Sequence, residues 1–156
     1  MAQIVSSVVI HRSVEDVFAF VNNFAAYSQW QSGVIAARMV SDGPLGSGSR
    51  IAETRRFFGR TTDMIWEVTT FQPPHTRGFK MEGAFPSTGV MTWESVPEGT
   101  RLRVEVTTKA RGVLKLLEPL LARTVRQQNA KDFATLKQLL ESNASLQDVR
   151  AQETIS

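Results

Sequence analysis

From Val34 onward the hydrophobic pattern of this chain changes period once, at Gly112. Before that glycine, apolar residues alternate with polar ones in runs of about ten residues separated by turn chemistry, the signature of a strand meander. After it the spacing lengthens to about 3.6, and Leu114, Leu117, Leu121, Val125, Phe133, Leu136 and Leu140 fall along one stripe of a helix. Pro119 lies near the start of that stripe, either in the first turn of the main helix or at a kink in a longer one. Counted from there to Ser142, the helix is about 23 residues and about 35 Å long, enough to span a small domain.

Upstream, residues 3–11 read as a strand. Ser13 is placed to cap a short helix, with Asp16 reaching back and Val14, Val17, Phe18 and Val21 at helical intervals. Asn22 and Asn23 end it, and a second short helix begins near Phe24 and carries Tyr27 and Trp30. Strands are then predicted at 34–40, 50–58, 61–71, 77–82, 90–96 and 100–109. The breaks between them hold Gly43, Pro44, Gly46 and Gly48, then Gly59, then Pro73 and Pro74, then residues 84–88, then Pro97 and Gly99. In the last strand Leu102, Val104 and Val106 alternate with Arg101, Arg103 and Glu105. The prediction is one α+β domain over 1–142, with no internal repeat, and a polar tail over 143–156 that is expected to be flexible.

Composition narrows the chemistry. At 156 residues the chain can bury roughly two thirds of its unfolded surface as a single domain. Without cysteine there is no disulfide framework and no thiolate metal site, so a reducing compartment is permitted and a cytoplasmic location expected. The N-terminus has no basic leader ahead of a long apolar run, and no segment approaches the roughly 20 apolar residues of a transmembrane helix. A soluble protein is expected. Lys and Arg number 18 against 15 Asp and Glu, and the basic residues are dispersed apart from a local group of Arg55, Arg56 and Arg60, which does not predict nucleic-acid binding.

Catalytic motifs are sparse. His11 and His75 are placed as surface imidazoles, not as a metal pair, and neither a metal nor a cofactor is expected. There is no Gly-x-Ser-x-Gly elbow, and Gly46-Ser47-Gly48 lies between strands without the helix that phosphate binding needs. Glu53, Arg55, Asp63 and Glu67 fall in strands whose alternation places most of them outside. Any found inside is a candidate acid, base or orienting charge.

A strand, two short helices, six strands and one long helix resembles the START-like helix-grip superfamily, also called SRPBCC, in its polyketide cyclase/dehydratase-like branch. The stretches that carry the resemblance are 8–21 (VVIHRSVEDVFAFV), Trp30, 46–50 (GSGSR), 66–74 (WEVTTFQPP), 99–102 (GTRL) and the helix 116–140. They are turns and core positions, specific for fold and not for function. The resemblance implies a seven-stranded curved antiparallel sheet gripping the long C-terminal helix around a cavity for lipids, polyketides, hormones or quinones.

Alternation supplies candidates for the lining. If Val104 and Val106 face inward, Met64, Trp66 and Val68 form a second inward row, joined by Phe79, Met81 and Trp93, with Trp30 from the short helices. These would face Leu117, Leu121, Val125 and Phe133 on the helix, although ordinary core packing accounts for any one of them. Asn129, four positions from both Val125 and Phe133, is aimed at the sheet, and Thr124 and Gln128 border the same face. A buried amide needs partners in a ligand, a strand or water. The expected function is binding of a hydrophobic or amphipathic small molecule. The alternatives are a cyclase/dehydratase-like enzyme and a partner-binding domain with a vestigial cavity, and a homodimer is compatible with all three.

Overall fold

A computed structural model describes residues 2–57, 59–83, 85–110 and 112–142. The period-two segments form β1 (Ala2–Ile10), β2 (Val34–Met39), β3 (Arg50–Phe57), β4 (Arg60–Gln72), β5 (Thr76–Met81), β6 (Ser87–Val96) and β7 (Gly99–Thr108). They make one curved antiparallel sheet in the order β1-β7-β6-β5-β4-β3-β2. β6 starts at Ser87, three residues before the apolar run that predicted it. Ser87 and Thr88 join the ladder opposite Thr108 and Thr107, and the Ser87 and Thr108 hydroxyls lie 3.0 Å apart. Polar pairing extends the strand where hydrophobicity is silent.

Between β1 and β2 the chain forms α1 (Val14–Val21), a 3-10 turn (Phe24–Ala26) and α2 (Tyr27–Trp30). The Asp16 amide donates to Ser13 Oγ at 3.2 Å, the expected cap. α1 buries Val14, Val17, Phe18, Phe20 and Val21. Phe18 stacks edge-on against Trp93 with centroids 4.7 Å apart, closing one end of the sheet.

The terminal helix is α3 (Glu118–Glu141), preceded by a 3-10 segment, Gly112–Leu117. Pro119 sits in the first turn of α3, where its missing N–H has no intrahelical partner to lose. The Ala110 amide donates to Glu118 Oε1 at 2.9 Å, tying the helix start to the end of β7. At the other end, Lys137 Nζ donates to the Val9 carbonyl at 2.7 Å, and Arg12 Nε donates to the Leu140 carbonyl at 2.6 Å. Phe133, Leu136 and Leu140 are buried there, whereas no residue between Ala122 and Asp132 is. The helix is thus clamped at both ends and stands off the sheet in its middle. The predicted tail lies outside the described residues.

Candidate functional site

Beneath that middle stretch lies a cavity of about 380 Å³ between α3, α2 and the inner face of the sheet. This is within the range of small-molecule sites, about 300–1,000 Å³. Strand register assembles its wall. Trp66 stands opposite Met81, Met81 opposite Ser87, and Ser87 opposite Thr108, while Val104, Met91 and Arg77 form a parallel row. Phe79 lies opposite Gly89, and a β-carbon added at that glycine would come within 2.4 Å of Phe79 Cζ. Its absence leaves room for the ring.

The lining includes Trp30, Met64, Trp66, Phe79, Met81, Val104, Val106, Leu121, Val125, Asn129 and Phe133 from the sequence-based set. A relay of rings bounds it, from Phe79 to Trp66 at 6.2 Å, through Phe24 and Tyr27, to Trp30 and then Phe133 at 6.5 Å. Asn129 faces the cavity, and its amide bonds to no other described side chain.

Three expected lining residues are elsewhere. Trp93 points inward but is packed on Phe18, because α1 covers that end of β6. Val68 is fully buried one inward position past Trp66, where Gly48 and Ser49 bond to its backbone and close the loop over the strand. Leu117 is 46% exposed, since the 3-10 segment has about three residues per turn and rotates it out of the α3 stripe. Thr124 is not in the wall either, and its hydroxyl donates to the Leu120 carbonyl.

The polar part of the cavity departs furthest from expectation. Glu53 and Arg55 are inside, not outside, because Ile51 pairs with Trp66 and Glu53 with Met64, so β3 turns Ile51, Glu53 and Arg55 to the same face. Arg55 donates to Glu53 Oε2 at 3.1 Å and to Gln31 Oε1 at 3.0 Å. The group of Arg55, Arg56 and Arg60 is therefore not one surface. Asp63 and Glu67 do face out, accepting from Thr54 Oγ1 and pairing with Lys80 respectively. On α3, Asp132 Oδ1 accepts from the amide and hydroxyl of Ser32, both at 3.0 Å.

Arg77 is absent from the sequence-based set, although it shares parity with Phe79 and Met81 and that parity is the available signal. It is 4% exposed. Its Nη1 donates to Asn22 Oδ1 at 2.7 Å and to the Tyr27 hydroxyl at 3.0 Å, and Nη2 donates to Met91 Sδ at 3.2 Å. The guanidinium carbon lies 5.1 Å from the Trp66 ring centroid. Its Nε has no partner, nor does Trp30 Nε1. Among the described residues no carboxylate pairs with this cation. Burial pushes the Tyr27 phenol above its usual range, which the charge of Arg77 only partly offsets. Tyr27 is thus a neutral hydroxyl that accepts from Arg77 and keeps its own proton to donate.

His11 and His75 are exposed. His75 Nδ1 donates to the Trp93 carbonyl at 2.9 Å and so fastens the turn before β5. Among the described residues there is no cluster of metal-ligating side chains and no helix long and apolar enough to cross a membrane.

The model of the family described as polyketide cyclase / dehydrase and lipid transport matches residues 1–141. No curated protein matches the chain. Among solved structures, it is similar to the di-domain ARO/CYC BexL from the BE-7585A biosynthetic pathway, with a TM-score of 0.75 and 18% identity over 91% of this chain. It spans 50% of BexL. TTHA0849 from Thermus thermophilus has a TM-score of 0.75 and 16% identity, over 88% of this chain and 95% of that one. A START superfamily protein from Mycobacterium smegmatis has a TM-score of 0.72 and 17% identity, over 89% and 97%. At these identities the likeness establishes the helix-grip fold.

Proposed function

The chain belongs to the polyketide cyclase / dehydrase and lipid transport family, and from that premise we propose that it binds an apolar molecule with an electron-rich oxygen at one end. The body of the ligand fills the space between Met64, Trp66, Phe79, Val106, Leu121 and Val125. Its oxygen, as carboxylate, enolate or carbonyl, meets Arg77 and Tyr27. One observation carries this reading, the buried guanidinium of Arg77 that lacks a carboxylate. Removing such an ion from water costs several kcal/mol unless a counter-charge or full hydrogen bonding offsets it. A carboxylate or enolate oxygen would supply both, and a carbonyl oxygen the hydrogen-bond acceptor alone.

Native mass spectrometry and titration with a long-chain carboxylate and its methyl ester test the proposal. The carboxylate is expected to bind more tightly, and failure of both to bind overturns it.

Tyr27 supports a second reading, in which the cavity also transforms its ligand in the cyclase/dehydratase manner. A neutral phenol held by a cation is suited to deliver a proton to a carbonyl oxygen. Tyr27→Phe should then abolish turnover while leaving most of the binding. The unfilled interior weighs against a partner-binding domain with a vestigial cavity.

A further inference from the structure

Around the start of α3, Val113, Leu116, Leu117 and Leu120 are 81%, 84%, 46% and 60% exposed. Single exposed apolar residues are ordinary, but a contiguous group of this kind marks an interaction surface. The next residue, Leu121, lines the cavity, as does Val125 one turn later. The patch therefore adjoins the cavity wall.

Charge identifies the occupant. Lys109, Lys115 and Arg123 are exposed within the same stretch. Glu118, the acidic residue among them, is 9% exposed and accepts from the Ala110 amide, so one of its carboxylate oxygens is turned back to the end of β7 and the cations outnumber it three to one. Leucines interspersed with exposed cations match the boundary of a bilayer carrying negative headgroups. A second copy of the chain would bring the same cations against one another.

We propose that residues 113–120 dock on an anionic lipid bilayer, with Val113, Leu116 and Leu120 entering the headgroup boundary and Lys115 meeting the lipid charge. Docking would set the Leu121 end of the cavity at the membrane face. The inference rests on exposure and charge, not on what the cavity holds, so binding in the cavity and binding to vesicles can fail separately.

The test is co-sedimentation of the full chain with vesicles of phosphatidylcholine containing phosphatidylglycerol and with vesicles of phosphatidylcholine alone. Binding is expected to favour the anionic vesicles and to weaken as salt screens the attraction. Lys115→Gln should lower partitioning about fivefold. The double variant Val113→Ser/Leu116→Ser should lower it by roughly tenfold or more. Both positions are so exposed that an unchanged melting temperature is expected and confirms the fold. Lack of binding by the folded protein, equal binding to both vesicle types, or binding that neither variant changes would overturn the proposal. So would a dimer in solution that the double serine variant dissociates while vesicles capture nothing.

Discussion

Arg77 Nη1 donates to the Tyr27 hydroxyl across 3.0 Å, joining β5 to α2 at the buried polar end of the cavity. Asn22, just past α1, holds the same nitrogen at 2.7 Å. One guanidinium thus fixes the helical plug against the sheet and keeps two of its five N–H groups, that of Nε among them, outside these bonds.

Tyr27 is the only tyrosine in the chain, so its ionisation can be followed without interference. Burial holds the phenol above its usual 10.0, with Arg77 opposing only in part. A group raised in the folded state stabilises the fold fully below its unfolded pKa and loses that contribution as pH climbs from about 10 through the folded value. Ultraviolet titration should show no phenolate step near pH 10 in the native protein and a normal step after unfolding. A native step at the ordinary position would refute the assignment. Tyr27→Phe should remove this alkaline loss and, by leaving a donor of Arg77 unpaired, cost about 1–3 kcal/mol at neutral pH.

Replacing Arg77 separates charge recognition from packing. Arg77→Met retains a long apolar chain beside Trp66 and Met91 but removes the cation. Affinity for a long-chain carboxylate should fall by about 2–5 kcal/mol, with a smaller change for its methyl ester. Arg77→Lys keeps the charge without the planar fork and should fall between them. Calorimetric titration of both ligands measures the difference, and parallel losses would show that Arg77 only supports the wall.

Gly89 sets the width of the cavity. Its β-carbon as alanine would meet Phe79 Cζ at 2.4 Å and the Glu105 carbonyl at 2.7 Å, so the ring must swing inward and the strand must shift. Overpacking of this kind costs about 1–3 kcal/mol. Gly89→Ala should lower the melting temperature and weaken bulky ligands more than slender ones. A variant with native stability and an unchanged ligand profile would show that Phe79 is not held by this contact.

The fold was legible because its two signals are local. Alternation marks each strand of the meander, and the longer period after Gly112 marks α3. The site was less legible because charge masked parity. The alternation that turns Phe79 and Met81 inward turns Arg77 inward with them. Glu53 follows Ile51 in the same way. Leu117 failed for the opposite reason, since its spacing continues the α3 stripe on paper while the chain there winds as a 3-10 segment. Trp93 and Trp66 face the same side, and only the placement of Phe18 assigns one to the plug and the other to the cavity.

The clamp at the far end of α3 gives a prediction at acid pH. Glu141 Oε1 accepts from Lys137 Nζ at 2.7 Å and from the His11 amide at 3.0 Å, fastening the last helical turn to the end of β1. The Lys137 ammonium, with the His11 amide, holds the Glu141 carboxyl below its usual 4.5 despite some opposing desolvation. A depressed carboxyl contributes stability above its unfolded pKa and loses it as pH falls through the lower folded value. Glu141→Gln should therefore cost about 1 kcal/mol at neutral pH. Denaturant unfolding of both proteins across the acid range should show that gap closing below about pH 4.5. Lys137→Met should reproduce the loss and also free the Val9 carbonyl, since Lys137 bonds both partners. A gap independent of pH would mean that Glu141 acts through packing and not through its charge. Because this clamp and the bond from Ala110 to Glu118 hold α3 at opposite ends, loosening it should also widen the space under Val125 and Asn129 and weaken ligand binding along with stability.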